Sequence, residues 1–174
     1  SAGSFGVAGA YSFYPTKNLG ALGDAGMLVT SDIEVQSKAR IIRNYGQSVR
    51  YEHPVLGTNS RLDEIQAAIL LVRLKWLNMF TIRRKEIAAN YNKYIENKYI
   101  QKLKLPDEET SHVYHLYVIK CESRDKLRKH LEQSGVQSFM HYPVPIHQQK
   151  PCLNIMKDTQ GLDSSIIHAN NCLS

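Results

Sequence analysis

Two short runs with strand character open the chain. An aromatic run at residues 11–14 is stopped by Pro15, and an apolar run follows at residues 27–30. Aromatic and β-branched residues bounded by Gly and Pro are typical of strands. We therefore predict two strands joined by a tight turn, and Lys17 lies within that turn.

Helical periodicity begins after this pair of strands. Apolar side chains recur at three- and four-residue steps over residues 33–44, Ser31 or Asp32 can cap the first turn, and Gly46 can end the last one. This pattern predicts a helix over residues 33–44. Residues 47–59 are polar and include a proline and a glycine, which indicates an irregular surface loop.

A longer helical pattern occupies residues 60–105, which contain no Gly or Pro. It predicts one long connecting helix, straight or kinked. Beyond it, strand patterns at residues 114–119 and 136–142 enclose a helical pattern at residues 124–133, and a short helix is predicted at residues 163–171. This mixture predicts a small second domain of α+β type.

Composition indicates a compact globular protein, because 43% of the 174 residues are hydrophobic and 22% are charged. The formal net charge of +6 is spread along the chain and favours small anionic ligands. Zinc-finger spacing, an RNP-like aromatic run and a dense Arg tract are all missing from the sequence. We therefore expect no nucleic-acid partner.

The cysteines and histidines suggest neither a disulfide framework nor a metal site. Cys121, Cys152 and Cys172 are odd in number and form no C-x-x-C pair, which favours a reducing compartment. His112 and His115 have no Cys or carboxylate nearby in the pattern expected of a metal site, so no metal is expected. No apolar stretch reaches the ~18 residues of a membrane helix, and no leader pattern opens the chain. The expectation is a cytoplasmic protein with no membrane partner.

Lys17 is the candidate nucleophile. A lysine held partly away from water in a tight turn can attack carbonyl groups, whereas most loop lysines are simply solvated. Spacing alone favours the solvated alternative. Gly20, Gly23 and Gly26 follow it, but they lack the Rossmann spacing and the Lys-Ser/Thr ending of a P-loop, so we interpret them as backbone turns.

The sequence around Lys17 favours the nucleophilic lysine over the solvated one. Residues 12–26 read Ser-Phe-Tyr-Pro-Thr-Lys-Asn-Leu-Gly-Ala-Leu-Gly-Asp-Ala-Gly and closely resemble the cofactor-lysine segment of the DegT/DnrJ/EryC1/StrS aminotransferases. Further matches follow in family order at residues 43–46, 57–64, 66–68, 141–143 and 145–147. The resemblance therefore covers nearly the whole chain.

This resemblance implies an α/β architecture, the fold-type I of transferases that depend on pyridoxal 5'-phosphate (PLP). Residues 1–75 would form the C-terminal part of the large αβα domain, residues 76–111 the connecting long helix and linker, and residues 112–174 an incomplete small α+β domain. Family members are homodimers with shared active sites. In them an earlier segment supplies an aspartate for the pyridine nitrogen and an aromatic ring that stacks on the cofactor. Neither is visible here, so we expect a fragment that is inactive alone.

The resemblance also assigns roles. Lys17 would hold PLP as a Schiff base and move protons during transamination. Ser12 would bind the cofactor phosphate, and Asn59 would reach the phosphate bound in the neighbouring subunit. Taken singly, Ser12 would be a turn hydroxyl and Asn59 a helix cap. Contacts with the sugar nucleotide are implied for Tyr51, His53, His141, Tyr142 and His147. Packing alone would explain each of these rings about equally well.

The same segment is most similar to enzymes that aminate carbon 3 of dTDP-linked keto-deoxyhexoses in amino-sugar synthesis for polysaccharides or glycoconjugates, with L-glutamate as the usual donor. Amination at carbon 4 is the alternative within the family. The family's dehydratase branch carries histidine in place of the lysine, so Lys17 argues against it. Outside catalysis, the alternatives are a non-catalytic PLP-binding regulatory homologue and a nucleotide-binding module that does not use PLP.

Overall fold

The computed structural model describes residues 3–104, 112–153, 155 and 161–174. The fold divides into two compact units, Ser1–Thr81 and Ile82–Ser174. Each unit contains helices and strands. The domain boundaries predicted at residues 75 and 111 stay a prediction, and the second of them lies outside the described residues.

The first unit opens with an antiparallel pair of strands, β1 (Ala8–Ser12) and β2 (Gly26–Thr30). β2 confirms the strand predicted at residues 27–30. The strand predicted at residues 11–14 is wrong in its position, because β1 begins earlier and ends before Phe13. Backbone pairing with β2 fixes β1 along the Gly- and Ala-rich segment, and this pairing outweighs the strand preference of the aromatic side chains.

Helix α1 (Ile33–Ile42) follows β2 and confirms the predicted helix, although it ends two residues earlier than predicted. The Asp32 carboxylate caps it by accepting the backbone N–H groups of Glu34 and Val35 at 2.8 and 3.1 Å. At the other end the chain turns at Gly46, where φ is +72°. A side chain there would also lie 1.7 Å from the carbonyl oxygen of Val55, so only glycine fits this turn.

The long helical pattern predicted from Ser60 takes the kinked of its two predicted forms and is divided into two helices. α2 (Glu64–Leu74) and α3 (Leu77–Tyr94) meet at a 62° bend without Gly or Pro. The N–H groups of Lys75 and Trp76 bond to carbonyls three residues back, at 3.3 and 3.0 Å, instead of four. These 3₁₀-type bonds tighten the last turn of α2 and change the direction of the axis.

The second unit contains a small antiparallel sheet of order β3-β4-β5, formed by β3 (Gln101–Lys102), β4 (Ile119–Lys120) and β5 (Cys172–Leu173). The predicted helices are confirmed as α4 (Arg124–Gln133) and α5 (Asp163–Asn171). Among the described residues of this unit, the buried ones centre on the sheet and on α3, and they are Ala88, Ile119, Cys121 and Leu173.

Both strands predicted in this unit differ from the structure. Of the strand predicted at residues 114–119, only Ile119 lies in β4, because the Arg84 guanidinium donates to the carbonyls of Tyr114 and His115 at 3.1 and 3.0 Å. These carbonyls are therefore bound away from the sheet. Residues 136–142 form no strand. Two 3₁₀ turns, Ile146–Gln148 and Lys150–Cys152, follow this segment.

Few side chains of the first unit are buried, although many are apolar. Ala21 and Leu70 are 1% and 8% exposed, whereas Ile65 and Leu71 on α2 are 74% and 65% exposed. The described residues therefore leave an apolar surface on α2 uncovered. Within the described ranges no single helix is long and apolar enough to cross a membrane, and α2 and α3 meet that criterion only as a bent pair.

Candidate active site

Lys17 lies in the loop that joins β1 to β2, where the turn signals predicted it. Its backbone N–H donates to the Tyr14 carbonyl at 2.8 Å, and the Ala21 N–H donates to the Phe13 carbonyl at 2.8 Å. The side chain of Lys17 is half-buried. The loop therefore fixes the backbone on both sides of Lys17 and shields part of its side chain from water.

Gly20 makes this tight loop possible. A Cβ atom at position 20 would lie 2.4 Å from the carbonyl oxygen of Pro15 and 2.9 Å from that of Tyr14. Backbone atoms cannot yield as the end of a flexible side chain can. Gly20 is thus required by space, in agreement with our interpretation of this glycine as part of a backbone turn.

Gln66 on α2 anchors the far side of the lysine loop. Its Oε1 atom accepts the backbone N–H of Leu22 at 2.9 Å, across 44 residues of sequence. A Cβ at Gly23 would lie 3.3 Å from the Gln66 Nε2 atom, so the amide packs closely against the loop. The sequence assigned no role to Gln66. In the sequence, Gln66 stands out as an amide within a helix of mostly apolar residues, and the structure shows it half-buried.

Ser12 ends β1, five positions before Lys17. Its Oγ accepts the backbone N–H of Tyr14 at 3.3 Å. A serine hydroxyl that accepts one hydrogen bond still has its own hydrogen to donate. Ser12 is exposed, so this hydrogen can reach a ligand.

Asn59 lies on the segment that pairs with the residues following α1, where its backbone forms an isolated antiparallel β-bridge with Asn44. It does not cap α2, whose N-cap residue is Asp63. Its Oδ1 accepts the Arg61 Nε–H at 2.8 Å, which leaves the amide Nδ2 as the group that Asn59 can offer to an acceptor. The amide donor and the guanidinium together suit an anion.

Arg61 is a second polar residue for which we predicted no role from the sequence. Its Nη2 donates to the Tyr45 hydroxyl at 3.2 Å, and its guanidinium carbon lies 5.5 Å from the centre of the Tyr45 ring. Asn59 and Arg61 line an open cavity of about 380 Å³, together with Leu62, Asp63 and Glu64. The guanidinium is therefore held at the edge of a space large enough for a small ligand.

The loop at residues 47–59 carries Tyr51 and His53 to the surface of the first unit. Tyr51 is 77% exposed and has a φ of +73°, with the Arg50 guanidinium 5.0 Å from its ring centre. The Nδ1 atom of His53 lies 2.9 Å from the Tyr45 carbonyl oxygen. Because a carbonyl can only accept, Nδ1 carries the hydrogen, and Nε2 of the neutral ring is an acceptor.

His141, Tyr142 and His147 belong to the second unit. His141 Nδ1 lies 2.8 Å from the Ser174 Oγ, and the His141 and Tyr142 rings meet edge to face with centres 5.4 Å apart. Tyr142 is 73% exposed, and His147 is half-buried in the first 3₁₀ turn. Residues 3–104, 112–153, 155 and 161–174 contain no group of three His, Cys, Asp or Glu side chains arranged to hold a metal ion.

The first unit offers, on two separate segments, the kinds of group that a phosphorylated aldehyde requires. Lys17 supplies a primary amine in a rigid loop, and Ser12 supplies a hydroxyl hydrogen on the same connection. Asn59 and Arg61 supply N–H donors of the kind that bind phosphate oxygens. An amine able to bond to an aldehyde and donors able to hold a phosphate are the groups that PLP requires.

A family model described as the DegT/DnrJ/EryC1/StrS aminotransferase family matches residues 1–174. The chain is 46% identical over 142 residues to the erythromycin biosynthesis sensory transduction protein EryC1 of Saccharopolyspora erythraea, covering 80% of this chain and 38% of that protein. It is 45% identical over 138 residues to a dTDP-3-amino-3,4,6-trideoxy-alpha-D-glucose transaminase of Streptomyces venezuelae, covering 79% of this chain and 36% of the transaminase.

Among solved structures, S. venezuelae DesV in complex with a ketimine intermediate matches with a TM-score of 0.84 and 40% identity, covering 97% of this chain and 46% of that one. The chain therefore spans less than half the length of these relatives. The matched part has the fold of the fold-type I sugar aminotransferases. The chain belongs to the DegT/DnrJ/EryC1/StrS aminotransferase family, whose members are PLP-dependent sugar aminotransferases.

Proposed function

We propose that the protein transfers an amino group from an amino acid to a nucleotide-linked keto-deoxysugar, with Lys17 as its central catalytic residue. The observation that carries the proposal is the half-buried Lys17 in a loop closed by the Phe13 and Tyr14 carbonyls, within a chain of this family. When bound, PLP supplies an electron sink for bonds at the substrate carbon. The protein supplies attachment, orientation and proton transfer.

Lys17 has two tasks in this proposal. Its Nζ atom is the attachment point for the cofactor, because an amine without its third proton is a nucleophile toward carbonyl carbon. After the amino donor displaces it, the same Nζ can accept a proton and return it elsewhere, which is general acid–base catalysis. The fixed backbone around Lys17 limits how far Nζ moves between these tasks.

Ser12 and Asn59 are the proposed phosphate ligands. The Ser12 Oγ–H is left to donate because the oxygen already accepts the Tyr14 N–H. The Asn59 Nδ2 is left to donate because its Oδ1 accepts from Arg61. We propose that Asn59 acts on the cofactor of the neighbouring subunit, and that Arg61 adds positive charge beside it.

The proposed sugar acceptor is a dTDP-linked 3-keto-6-deoxyhexose, and the proposed donor is L-glutamate. The S. venezuelae relative, named as a dTDP-3-amino sugar transaminase, supports amination at carbon 3. The alternative, amination at carbon 4, differs from amination at carbon 3 in the position of the amino group on the product sugar. The rings proposed to contact the sugar nucleotide are Tyr51, His53, His141, Tyr142 and His147.

We also propose a homodimer with shared active sites in the cytoplasm. The uncovered apolar residues of α2, such as Ile65 and Leu71, support further polypeptide packing against the first unit. The unpaired thiols of Cys121, Cys152 and Cys172 support a reducing compartment. Because the chain spans 38% of one relative and 36% of another, the proposal applies to the whole protein.

The test compares Lys17→Ala with the native whole protein, with Lys38→Ala as the matched control. Lys38 is a lysine whose side chain is 75% exposed on α1. Lys17→Ala is expected to abolish both the absorbance change that accompanies PLP bonding to a lysine and amino transfer from L-glutamate. Lys38→Ala is expected to retain both. Unchanged absorbance and turnover in Lys17→Ala would remove Lys17 from its proposed role.

A regulatory protein without turnover is the second candidate, because one relative is named a sensory transduction protein. The same experiment separates the two. A regulatory homologue bonds PLP through Lys17 but forms no amino sugar, whereas the proposed enzyme does both. A nucleotide-binding module that does not use PLP gives no absorbance change.

A further inference from the structure

The hydrogen bonds around Ser174 determine the chemistry that His141 offers to a ligand. Phe139 and Ser174 form a doubly bonded backbone pair, with the Phe139 N–H on the Ser174 carbonyl at 2.6 Å and the Ser174 N–H on the Phe139 carbonyl at 2.9 Å. This pair fixes Ser174 through its main chain. The main-chain pair thus places the Ser174 side chain beside the His141 ring, and the bonds of the hydroxyl itself then fix its direction.

The Ser174 hydroxyl has two neighbours and one hydrogen. Its Oγ lies 3.1 Å from the Phe139 carbonyl oxygen and 2.8 Å from the His141 Nδ1. A carbonyl can only accept, so the bond to Phe139 uses the hydroxyl hydrogen. The contact with His141 is then a hydrogen bond only if Nδ1 donates to Oγ. This arrangement forms both side-chain bonds, whereas the opposite histidine tautomer forms one.

We propose that Ser174 is a positioning residue that holds neutral His141 as the Nδ1–H tautomer, which leaves Nε2 as a hydrogen-bond acceptor for the substrate. The inference rests on the proposed function for the identity of the substrate. An Nε2 acceptor suits a sugar hydroxyl or the N–H of a pyrimidine base, both of which donate. It does not suit a diphosphate, which only accepts.

The surroundings of His141 agree with this role. His141 is an exposed residue, as a contact with a ligand requires. The rings of Phe139 and Tyr142 flank it, with centres 6.2 and 5.4 Å away. These aromatic neighbours restrain the ring and supply apolar faces of the kind that pack against sugars and bases.

The first test is a nitrogen-15 NMR measurement of the His141 tautomer in the whole protein with PLP bound. The native protein is expected to show Nδ1–H at His141, and Ser174→Ala is expected to shift the population toward Nε2–H. Ser174→Thr keeps a hydroxyl and is expected to restore the native tautomer. His53, whose Nδ1 donates to the Tyr45 carbonyl, serves as an internal reference that Ser174→Ala leaves unchanged. An Nε2–H tautomer at His141 in the native protein would overturn the proposal.

The second test measures ligand recognition. Ser174→Ala is expected to raise the KM for a dTDP-linked keto-deoxyhexose by about fivefold, the loss of one neutral hydrogen bond, with kcat nearly unchanged and with rescue in Ser174→Thr. Weaker inhibition by dTDP in Ser174→Ala identifies the base N–H as the donor, and unchanged inhibition identifies a sugar hydroxyl. Weaker inhibition by inorganic pyrophosphate would contradict an acceptor role.

The two tests separate this inference from the proposed function. The tautomer is read without substrate, so it reports on Ser174 and His141 even if no amino sugar forms. A native Nδ1–H tautomer without turnover contradicts the proposed function alone. A KM that is unchanged in Ser174→Ala, in a protein that does turn over, contradicts the inference alone.

Discussion

Substitution of Gly20 by alanine tests whether the loop geometry around Lys17 matters for activity. The new Cβ would lie 2.4 Å from the Pro15 carbonyl oxygen, whereas ordinary contact begins at 3.4 Å, so the shortfall is 3.4 − 2.4 = 1.0 Å. The obstructing atoms are backbone. The Tyr14 carbonyl that accepts the Lys17 N–H would also lie 2.9 Å from the new atom. The clash therefore acts on the turn that carries Lys17.

The expected cost follows from this overlap. Forcing an additional carbon into a packed site typically costs ~1–3 kcal/mol of stability. A displacement of about 1 Å at a reacting group can lower the rate by about 100-fold. We therefore expect Gly20→Ala to lower the free energy of unfolding by about 1–3 kcal/mol and kcat/KM by about 100-fold.

The assay combines denaturant unfolding of the PLP-bound protein with steady-state kinetics for three glycine variants. Gly6→Ala is the matched control, because its Cβ would lie no closer than 3.9 Å to any neighbour, and it should behave as the native protein. Gly23→Ala should fall between the two, because its Cβ would meet only the movable Gln66 amide at 3.3 Å. Native stability and native turnover in Gly20→Ala would show that the close approach at Gly20 does not determine the position of Lys17.

Two further predictions concern Gln66 and Tyr117. Gln66→Leu removes the hydrogen bond to the Leu22 N–H, so we expect it to lower the free energy of unfolding by about 1 kcal/mol and to lower turnover. Denaturant unfolding and steady-state kinetics measure these two effects. Gln66→Glu keeps an acceptor and should retain most of the turnover. Burial, and secondarily two neighbouring tyrosines, raise the pKa of Tyr117 above 10.0. The phenol of the unfolded chain therefore ionises at a lower pH than that of the folded chain, so the free energy of unfolding should fall as pH rises above 10.0. This fall should be smaller in Tyr117→Phe. It should be unchanged in Tyr94→Phe, a control at an exposed tyrosine. A pH dependence that is unchanged in Tyr117→Phe would contradict this assignment.

Features encoded by neighbouring residues were predictable from the sequence. Asp32 caps α1 through hydrogen bonds two and three residues away, and the start of the helix was predicted correctly. The loop that carries Lys17 was predicted between two strands for the same reason, because Pro15 and the following glycines determine it locally. The family resemblance then supplied the chemistry that spacing alone did not.

Features that depend on distant contacts were not predictable. Arg84 binds the carbonyls of Tyr114 and His115 from 30 and 31 residues away, which removes them from a strand that their side chains favour. Gln66 reaches Leu22 across 44 residues. The position of the bend between α2 and α3 was not predictable for a local reason, because no Gly or Pro marks the point where the allowed kink occurs. In each case a tertiary hydrogen bond or a local change of helix type outweighed the residue preferences.

Trapping the bond between PLP and a lysine tests directly whether Lys17 holds the cofactor. The whole protein is incubated with PLP and reduced with borohydride, which makes the link to a lysine permanent, and its peptides are analysed by mass spectrometry. We expect the added pyridoxyl phosphate mass on the peptide that contains Lys17, and its absence from that peptide in Lys17→Ala. Modification of another lysine with Lys17 unmodified would contradict it.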